Sequence, residues 1–270
     1  YEALFSNTTA SNNTALGYQA GYSTTTGTNI IALGHQAAYS SSTGNVVAIG
    51  TNSASQNTSG SVVAIGTVST LYANTTGTYN IGIGGVGTTG YSTMRYNTTG
   101  SYNTAIGFES LAFNTTANNN TAIGYQAAYS QTTGGGNTAV GYLALYDNTT
   151  GTSNVAAGNN ALTNNTIGGG NVAFGSSALS GVTTGNFNTA IGHTTGDTLT
   201  TGTNNTCIGY DAVPSTANVN HQFTLGNTQI DNLRCNDTTI SALSDARDKT
   251  NVIDIPLGLD FINKMRPVAF

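Results

Sequence analysis

The stretch Asn-Thr-Ala-Ile-Gly decides the fold of this chain, and it occurs at residues 103–107, 120–124 and 188–192. Thirteen related phrases, each with two small or apolar residues before a glycine, run through residues 1–226. Successive closing glycines lie 16 to 18 residues apart, except for one interval of 23 residues. A period this short predicts a solenoid of stacked coils, because one unit cannot bury its own apolar face. The closing glycines are Gly17, Gly34, Gly50, Gly66, Gly84, Gly107, Gly124, Gly141, Gly158, Gly175, Gly192, Gly209 and Gly226.

The amino-acid composition excludes several other classes of protein. Charged residues are 6% of the 270-residue chain, against roughly 25% in a typical soluble domain. Such low complexity usually indicates disorder, but disordered segments have no reason to keep phase over a dozen repeats. Collagen is excluded because the 35 glycines do not recur at every third residue.

The net charge and the absence of recognisable sets of catalytic or metal-binding residues exclude further functions. A net charge of −5 without a basic stripe excludes a nucleic-acid partner, and no apolar run is long enough for membrane insertion. His35 and His193 lie about nine coils apart, so they cannot share a metal within one chain. No Ser-His-Asp set or carboxylate pair stands out. The sequence therefore predicts no metal, no cofactor and no enzyme activity on an external substrate.

Each phrase presents two different faces, with positions numbered from the closing glycine. Position −1 is Leu, Ile, Val, Phe or Ala in all thirteen copies, and position −2 is Ala in ten. Adjacent strand residues face opposite sides, so one face carries alanine against a close backbone and the other needs an apolar partner. A 17-residue unit fits two strands of about five residues and two turns. So thin a coil is expected to pack against copies of itself.

Asparagine occupies position −4 in nine copies, where stacked side chains are expected to form a ladder of amide hydrogen bonds at a corner. We interpret the asparagines and glycines of the clearest copies as structural rather than as a binding site. These pairs are Asn13 and Gly17, Asn103 and Gly107, Asn120 and Gly124, Asn137 and Gly141, and Asn188 and Gly192. The full set is Asn13, Asn80, Asn103, Asn120, Asn137, Asn154, Asn171, Asn188 and Asn205.

Two weaker features are candidates for recognition. The long interval between Gly84 and Gly107 contains four predicted receptor-binding residues, with a tolerated surface insertion as the competing interpretation. These four are Tyr91, Met94, Arg95 and Tyr96. Tyrosines also recur at positions +1 and +5, where stacked rings can bind sugars, but packing is the favoured interpretation. They include Tyr18 and Tyr22, Tyr125 and Tyr129, and Tyr142 and Tyr146.

The two cysteines do not make a disulfide framework. Cys207 takes the place that alanine holds in ten repeats, which indicates a small buried side chain. Cys235 lies in the segment after the repeats, and a disulfide between the two is not favoured.

The repeats at 1–226 resemble the head of YadA-type trimeric autotransporter adhesins, and similar repeats occur in phage tail fibres. The resemblance rests on the many Asn-x-x-Ala-Ile-Gly-like phrases. It implies an all-β, left-handed parallel β-roll, or β-solenoid, of about 13 coils in which three chains share a core as a homotrimer. The adhesin family usually has a shorter period, so longer loops are expected here.

A composition break near Gly226 separates the repeats from a linker at 227–243 and a last segment at 244–270. That segment contains Ser-Asp-Ala-Arg-Asp-Lys and later Arg-Pro-Val, and it resembles the start of the endosialidase-type intramolecular chaperone of phage tail fibres. The resemblance implies that Ser244 is a self-cleaving nucleophile and Lys249 its base, with the cut after Leu243 in a full-length precursor. A charged turn between fibre and chaperone is the alternative interpretation.

These observations predict a structural fibre protein of a phage or virus tail, located in the virion and serving host attachment. Its expected partners are its own copies and a host cell-surface receptor, with a glycan as one candidate. A bacterial surface filament or adhesin, located outside the cell, is the alternative. An ice-binding solenoid is disfavoured, because the threonines are mostly adjacent pairs at turns and adjacent strand residues face opposite ways.

Overall fold

The computed structural model describes residues 1–42, 44–86 and 90–231. The chain divides into two units, Tyr1–Ile230 and Asp231–Phe270, and the first unit contains the repeats. The predicted self-cleavage pair, Ser244 and Lys249, lies outside the described residues, as does Cys235.

One parallel sheet of thirteen strands forms the first unit, with the strands paired in chain order. Each strand ends at, or close to, the closing glycine of its repeat. The protein is therefore an all-β solenoid, as predicted, and no helix occurs among the described residues. The strands are β1 (Thr14–Leu16), β2 (Ile30–Leu33), β3 (Val46–Thr51), β4 (Val62–Val68), β5 (Asn80–Gly84), β6 (Thr104–Ile106), β7 (Thr121–Ile123), β8 (Thr138–Val140), β9 (Val155–Ala157), β10 (Val172–Phe174), β11 (Thr189–Ile191), β12 (Thr206–Ile208) and β13 (Phe223–Leu225).

Each coil contains one strand, not the two that the repeat length predicts. In the described part of the chain, turns and bends occupy most of the segment after each closing glycine. Backbone φ is positive at alternate positions there, as at Gln126 (φ 52) and Ala128 (φ 50). Left-handed residues interrupt the extended backbone of a strand. Hydrogen bonds still join this side from coil to coil, as from the Ala128 N–H to the Ala144 carbonyl (2.9 Å).

The core is a thin layer between the strands and the turn segments. Alanines at position −2 stack in register, so that Ala105 pairs with Ala122 and Ala122 with Ala139, and all three are fully buried. A Cβ on Gly82, which replaces alanine in β5, would lie 3.2 Å from Cδ1 of Leu71 in a turn segment. The alanine face therefore packs closely inside the coil, as expected, but against side chains of the turn segment and not against the close backbone that the sequence predicts. The turn segments supply a column of larger buried residues, Leu71, Met94, Leu111, Leu145, Leu162 and Leu179.

The closing glycines meet both a conformational and a spatial need. Gly124 has a φ of 140°, and a Cβ there would collide with the carbonyl group of Gly141 in the next coil. The same two constraints recur at Gly107 and Gly158. Since successive strands lie about 4.8 Å apart, a side chain does not fit between coils at this position. Glycine therefore marks the period of the sequence.

Candidate interaction surface

The predicted asparagine ladder forms a buried corner where the chain enters most of the strands, with Ile30, Val46 and Val62 in its place at β2 to β4. The Asn137 N–H donates to Oδ1 of Asn120, and the Asn154 N–H donates to Oδ1 of Asn137, both at 2.9 Å. Nδ2 of Asn137 donates to the carbonyl of Gly151 at 2.8 Å. The ladder asparagines from Asn80 to Asn205 are buried, so they stabilise the coils and offer no surface to a ligand.

A second amide ladder runs through the turn segments, and the sequence analysis missed it. Nδ2 of Asn97 donates to Oδ1 of Asn74 at 2.7 Å, and Nδ2 of Asn114 donates to Oδ1 of Asn97 at 2.6 Å. Gln131 interrupts this ladder, because its Nε2 donates to the carbonyl of Gly134 and leaves Oδ1 of Asn114 without a donor. The available signal was the recurring Asn-Thr-Thr triplet, which we interpreted only as a turn.

An apolar ribbon runs along the outer face of the sheet, and we define it as positions −1 and −3 of all thirteen repeats. Its side chains are half-buried or exposed even between flanking strands, with Ile123 and Val140 each 38% exposed. No ribbon residue is charged. Large contiguous apolar patches on a protein surface mark interaction sites. Position −1 comprises Leu16, Leu33, Ile49, Ile65, Ile83, Ile106, Ile123, Val140, Ala157, Phe174, Ile191, Ile208 and Leu225, and position −3 comprises Thr14, Ile31, Val47, Val63, Ile81, Thr104, Thr121, Thr138, Val155, Val172, Thr189, Thr206 and Phe223.

Two grooves flank the ribbon where its strands are longest. One, of about 330 Å³, is lined by the position −3 side chains of β3 to β5 and by Tyr79. The other, of about 340 Å³, is lined by the position −1 side chains of the same strands. Both grooves are therefore apolar along one wall, and this part of the ribbon favours burial against a second apolar surface.

The tyrosine rows are stacks between neighbouring coils. The rings of Tyr22 and Tyr39 lie 5.1 Å apart with an interplanar angle of 5°, and those of Tyr125 and Tyr142 lie 5.4 Å apart at 11°. Because stacked rings cover each other's faces, those faces cannot receive a sugar ring. This geometry agrees with the packing interpretation.

The position of Met94 follows from the point at which the long interval resumes the coil register. The Leu71 N–H donates to the Thr93 carbonyl at 3.1 Å, and the Met94 N–H donates to the Ser110 carbonyl at 3.0 Å, so the coil is back in phase by Thr93. Met94 is fully buried in the core column. A receptor contact through Met94 is therefore excluded, because its side chain has no exposed surface, and the prediction is corrected for this residue.

The other three predicted receptor-binding residues lie at the surface in an aromatic cluster. The rings of Tyr91 and Tyr96 lie 4.9 and 5.3 Å from the ring of Phe113. The Arg95 guanidinium lies 5.8 Å from the centre of the Tyr96 ring. Tyr96 is 37% exposed, and a receptor role for these three residues stays a prediction.

The hydroxyl groups of one threonine row donate hydrogen bonds to the next coil of the solenoid. Oγ1 of Thr115 donates to the Thr132 carbonyl at 3.1 Å, and Oγ1 of Thr132 donates to the Thr149 carbonyl at 3.0 Å. The adjacent row, which includes Thr116 and Thr133, is exposed. Because the neighbouring row is engaged in these hydrogen bonds, the exposed row is not part of a flat two-row threonine array, and this geometry does not favour ice binding.

The ionisable groups of the described residues are few and do not form a reactive site. Burial raises the pKa of Asp197, and the nearby charge of Asp211 raises it further, while backbone hydrogen bonds lower it. Burial also raises the pKa of Asp147 and of the Cys207 thiol, which is buried as expected in the alanine column. In this part of the chain no three His, Cys, Asp or Glu side chains come together as a metal site. No helix there could span a membrane.

Comparisons with known proteins were made at three levels. No protein-family model, no curated protein and no solved structure matches the chain. The functional conclusion therefore depends on the apolar ribbon, the two ladders and the charge distribution described above.

Proposed function

We propose that the chain is the rod of a phage or virus tail fibre and that three copies associate along their apolar ribbons. The observation that supports this proposal is the ribbon itself, which extends from β1 to β13 without a charged residue. Thirteen coils at roughly 4.8 Å each give a rod of about 60 Å. Such a rod holds a receptor-binding surface away from the particle, as host attachment requires.

A second copy of the chain is the partner that fits the ribbon. Ribbon side chains recur at the coil spacing of about 4.8 Å, and another solenoid has ridges and grooves at the same spacing. The two rows expose on the order of 1,000 Å² of side chain, which is the size of a stable interface. A charged partner would lose hydration against this face without gaining a counter-charge. Three-fold symmetry, which the resemblance to adhesin heads implies, closes the assembly.

Native mass spectrometry tests the association. We expect three times the chain mass of 27.4 kDa, and a monomer at micromolar concentration would refute the proposal. Ile123→Asp places a charge in the ribbon and is expected to give monomers that keep the β-sheet circular dichroism. Thr133→Asp places the same charge on an exposed turn and is expected to leave the assembly intact.

The attachment role is tested on intact cells. Labelled trimers are expected to bind host bacteria, and enzymatic removal of surface polysaccharide is expected to abolish binding if the receptor is a glycan. Virion tail genes beside the coding sequence support the fibre, whereas genes for surface export support the alternative of a bacterial adhesin. Absence of binding to all of the bacterial strains tested would contradict the attachment role.

We also propose, from the resemblance of residues 244–270 alone, that Ser244 cuts the bond after Leu243 in a precursor with a complete chaperone. Lys249 accepts the hydroxyl proton, the serine oxygen displaces its own amide nitrogen from the Leu243 carbonyl, Lys249 returns the proton to the leaving nitrogen, and water then hydrolyses the ester. Ser244→Ala is expected to abolish release of the chaperone fragment in mass spectra, while Thr250→Ser is expected to keep it. Release from the Ser244→Ala precursor would disprove this role.

A further inference from the structure

Arg95 is the only arginine or lysine in residues 1–231. It directly follows Met94 of the buried core column and lies half-buried in a turn segment. Its guanidinium lies 5.5 Å from the centre of the Tyr72 ring, one coil earlier, and 5.8 Å from the centre of the Tyr96 ring. A single cation is therefore held against two aromatic rings on the turn side of the solenoid.

This guanidinium has no counter-charge in contact with it among the described residues. Its side chain makes the two ring contacts and forms no ion pair or hydrogen bond within that part of the chain. The carboxylate nearest to Arg95 along the chain, Glu109, is fully buried and accepts a hydrogen bond from Nε2 of Gln126 at 2.6 Å. The five N–H donors of the guanidinium are therefore free to bind an anion.

Tyr96 supplies an apolar surface beside the cation. Its ring stacks on the ring of Phe113 at 5.3 Å with an interplanar angle of 21°, and the residue is still partly exposed. The Ala73 N–H donates to the Arg95 carbonyl, so Ala73 takes the position in the preceding coil that corresponds to Tyr96. Because Ala73 has no ring, Tyr96 is not stacked from that side by its own row, unlike a tyrosine inside a continuous stack.

We propose that Arg95 and Tyr96 bind an acidic sugar of a host surface polysaccharide, with the anionic group of the sugar against the guanidinium and the sugar ring against the exposed part of Tyr96. This inference rests on the proposed attachment role of the rod and names the chemical class of its receptor. The planar guanidinium matches a carboxylate or a phosphate group through two parallel hydrogen bonds. A neutral sugar offers no counter-charge, so the same contact would be weaker.

The adjacent ring is the reason that a sugar fits this site. A sugar ring presents carbon-bound hydrogens to an aromatic ring and holds its anionic group rigidly at one edge. Rigid spacing between the two contacts avoids the loss of conformational freedom that a flexible acidic side chain would suffer on binding. The pair of Arg95 and Tyr96 therefore favours an acidic sugar over an acidic peptide.

Polysaccharide binding tests the inference on the intact chain. Bacterial capsular and O-antigen polysaccharides are immobilised in native form, after reduction of their carboxyl groups and after removal of their phosphate groups. We expect the wild type to bind at least one acidic polysaccharide and to lose this binding when the anionic group is removed. Loss on carboxyl reduction identifies a carboxylate as the group at Arg95, and loss on dephosphorylation identifies a phosphate. Binding that survives both treatments overturns the inference.

Variants locate the binding at this site. Arg95→Gln removes the charge and is expected to weaken binding about tenfold or more. Arg95→Lys keeps the charge without the planar fork and is expected to give an intermediate affinity. Tyr96→Ala is expected to weaken binding as well. Tyr210→Ala removes a ring that is 65% exposed and stacked on His193, away from any arginine, and is expected to leave binding unchanged.

The outcomes separate this inference from the attachment role. Circular dichroism and native mass are measured for every variant, and the chemically treated polysaccharides test the anion without any change to the protein. Folded Arg95→Gln that binds as tightly as the wild type overturns the inference and leaves the attachment role intact. So does a wild type that binds only neutral polysaccharides. A wild type that binds no polysaccharide and no bacterial strain overturns the attachment role and this inference with it.

Discussion

The backbone N–H of Asn137 donates a 2.9 Å hydrogen bond to Oδ1 of Asn120, one coil earlier in the corner ladder. At this corner the side chain of Asn120, and not a backbone carbonyl of the neighbouring strand, is the acceptor for this N–H. Nδ2 of Asn137 then donates to the Gly151 carbonyl in the next turn, so the ladder pairs buried backbone groups on both sides. Each coil therefore depends on its neighbours for its backbone hydrogen bonds.

Removal of one ladder side chain is expected to destabilise the rod strongly. Asn137→Ala leaves the Asn154 N–H and the Gly151 carbonyl without these partners in a buried corner. We expect the free energy of unfolding to fall by about 2 kcal/mol, because the unpaired Asn154 N–H costs about 1–3 kcal/mol, whereas the Gly151 carbonyl keeps its bond from Nδ2 of Asn148 at 3.0 Å. Urea denaturation followed by circular dichroism measures the change.

An exposed asparagine supplies the control for that measurement. Asn118 accepts a hydrogen bond from the Ser101 N–H at 2.7 Å on the surface, where water replaces it. Asn118→Ala is expected to change stability by less than about 0.5 kcal/mol. Equal losses for the Asn118 and Asn137 variants would contradict the structural role of the buried ladder.

The second ladder allows a stabilising substitution. Gln131→Asn is expected to direct Nδ2 to the vacant Oδ1 of Asn114 and to keep an acceptor for Asn148, whose Nδ2 now lies 2.6 Å from Oε1 of Gln131. A satisfied buried acceptor is worth about 1 kcal/mol, so the urea midpoint is expected to rise. An unchanged or lower midpoint would show that the acceptor is not the weak point.

A substitution at the other end of this ladder is the matched comparison. Oδ1 of Asn165 also has no donor, and the next coil has Val182 at that position. Val182→Asn supplies the donor but leaves its own oxygen facing the apolar Leu199 of the following coil. We therefore expect no gain in the free energy of unfolding, because the unpaired acceptor moves by one coil without disappearing.

The repeat phrase is sufficient to predict the sheet, because its glycine and alanine positions follow from backbone contact between coils. The side chains of the turn segments do not carry such a signal. Leu145 and Ala128 have φ values of 56° and 50° there. No pattern of side chains predicts that a leucine or an alanine adopts the left-handed backbone conformation. Stacking in register compensates this strain, and stacking is a property of neighbouring coils rather than of one repeat.

The candidate surface was only partly predictable for a related reason. Alternation of small and branched residues identified the outward row at position −1, since alternation depends on strand geometry alone. The burial of Met94 depends instead on the residue at which the long interval comes back into register with the neighbouring coils. The spacing between Gly84 and Gly107 does not show which residue that is. The Ser92-Thr93-Met94 segment matches Ser69-Thr70-Leu71, and that match is the signal that places Met94 in the core.

Three glycine substitutions separate conformation from space. Gly124→Ala combines a φ of 140° with a collision against the Gly141 carbonyl, and we expect a loss of at least about 3 kcal/mol or failure to fold. Gly136→Ala keeps a positive φ of 72° but its Cβ lies at least 3.7 Å from other atoms, so about 1 kcal/mol is expected.

The third variant carries the collision without the left-handed backbone. Gly151 has no positive φ, but a Cβ there would meet Oδ1 of Asn148 and the Gly168 carbonyl. Gly151→Ala is therefore expected to lie close to Gly124→Ala in thermal denaturation. A ranking in which Gly136→Ala is the most destabilised of the three would mean that backbone strain, and not coil spacing, selects glycine.

Acid is expected to stabilise the C-terminal coils through Asp197. Burial, and then the charge of Asp211, raise the pKa of Asp197 above its ordinary value of 3.8, so the folded state binds this proton more tightly than the unfolded state does. The stability that this group contributes is complete below pH 3.8 and is lost as the pH rises through the folded pKa.

Asp197→Asn cannot titrate, so its urea midpoint is expected to change less than that of the wild type between about pH 4 and pH 7. Thr201→Asn, a neutral change at an exposed turn position, should retain the wild-type pH dependence. If the Asp197→Asn and wild-type midpoints shift equally over this range, the folded carboxyl has no raised pKa and the coils owe none of their pH dependence to it.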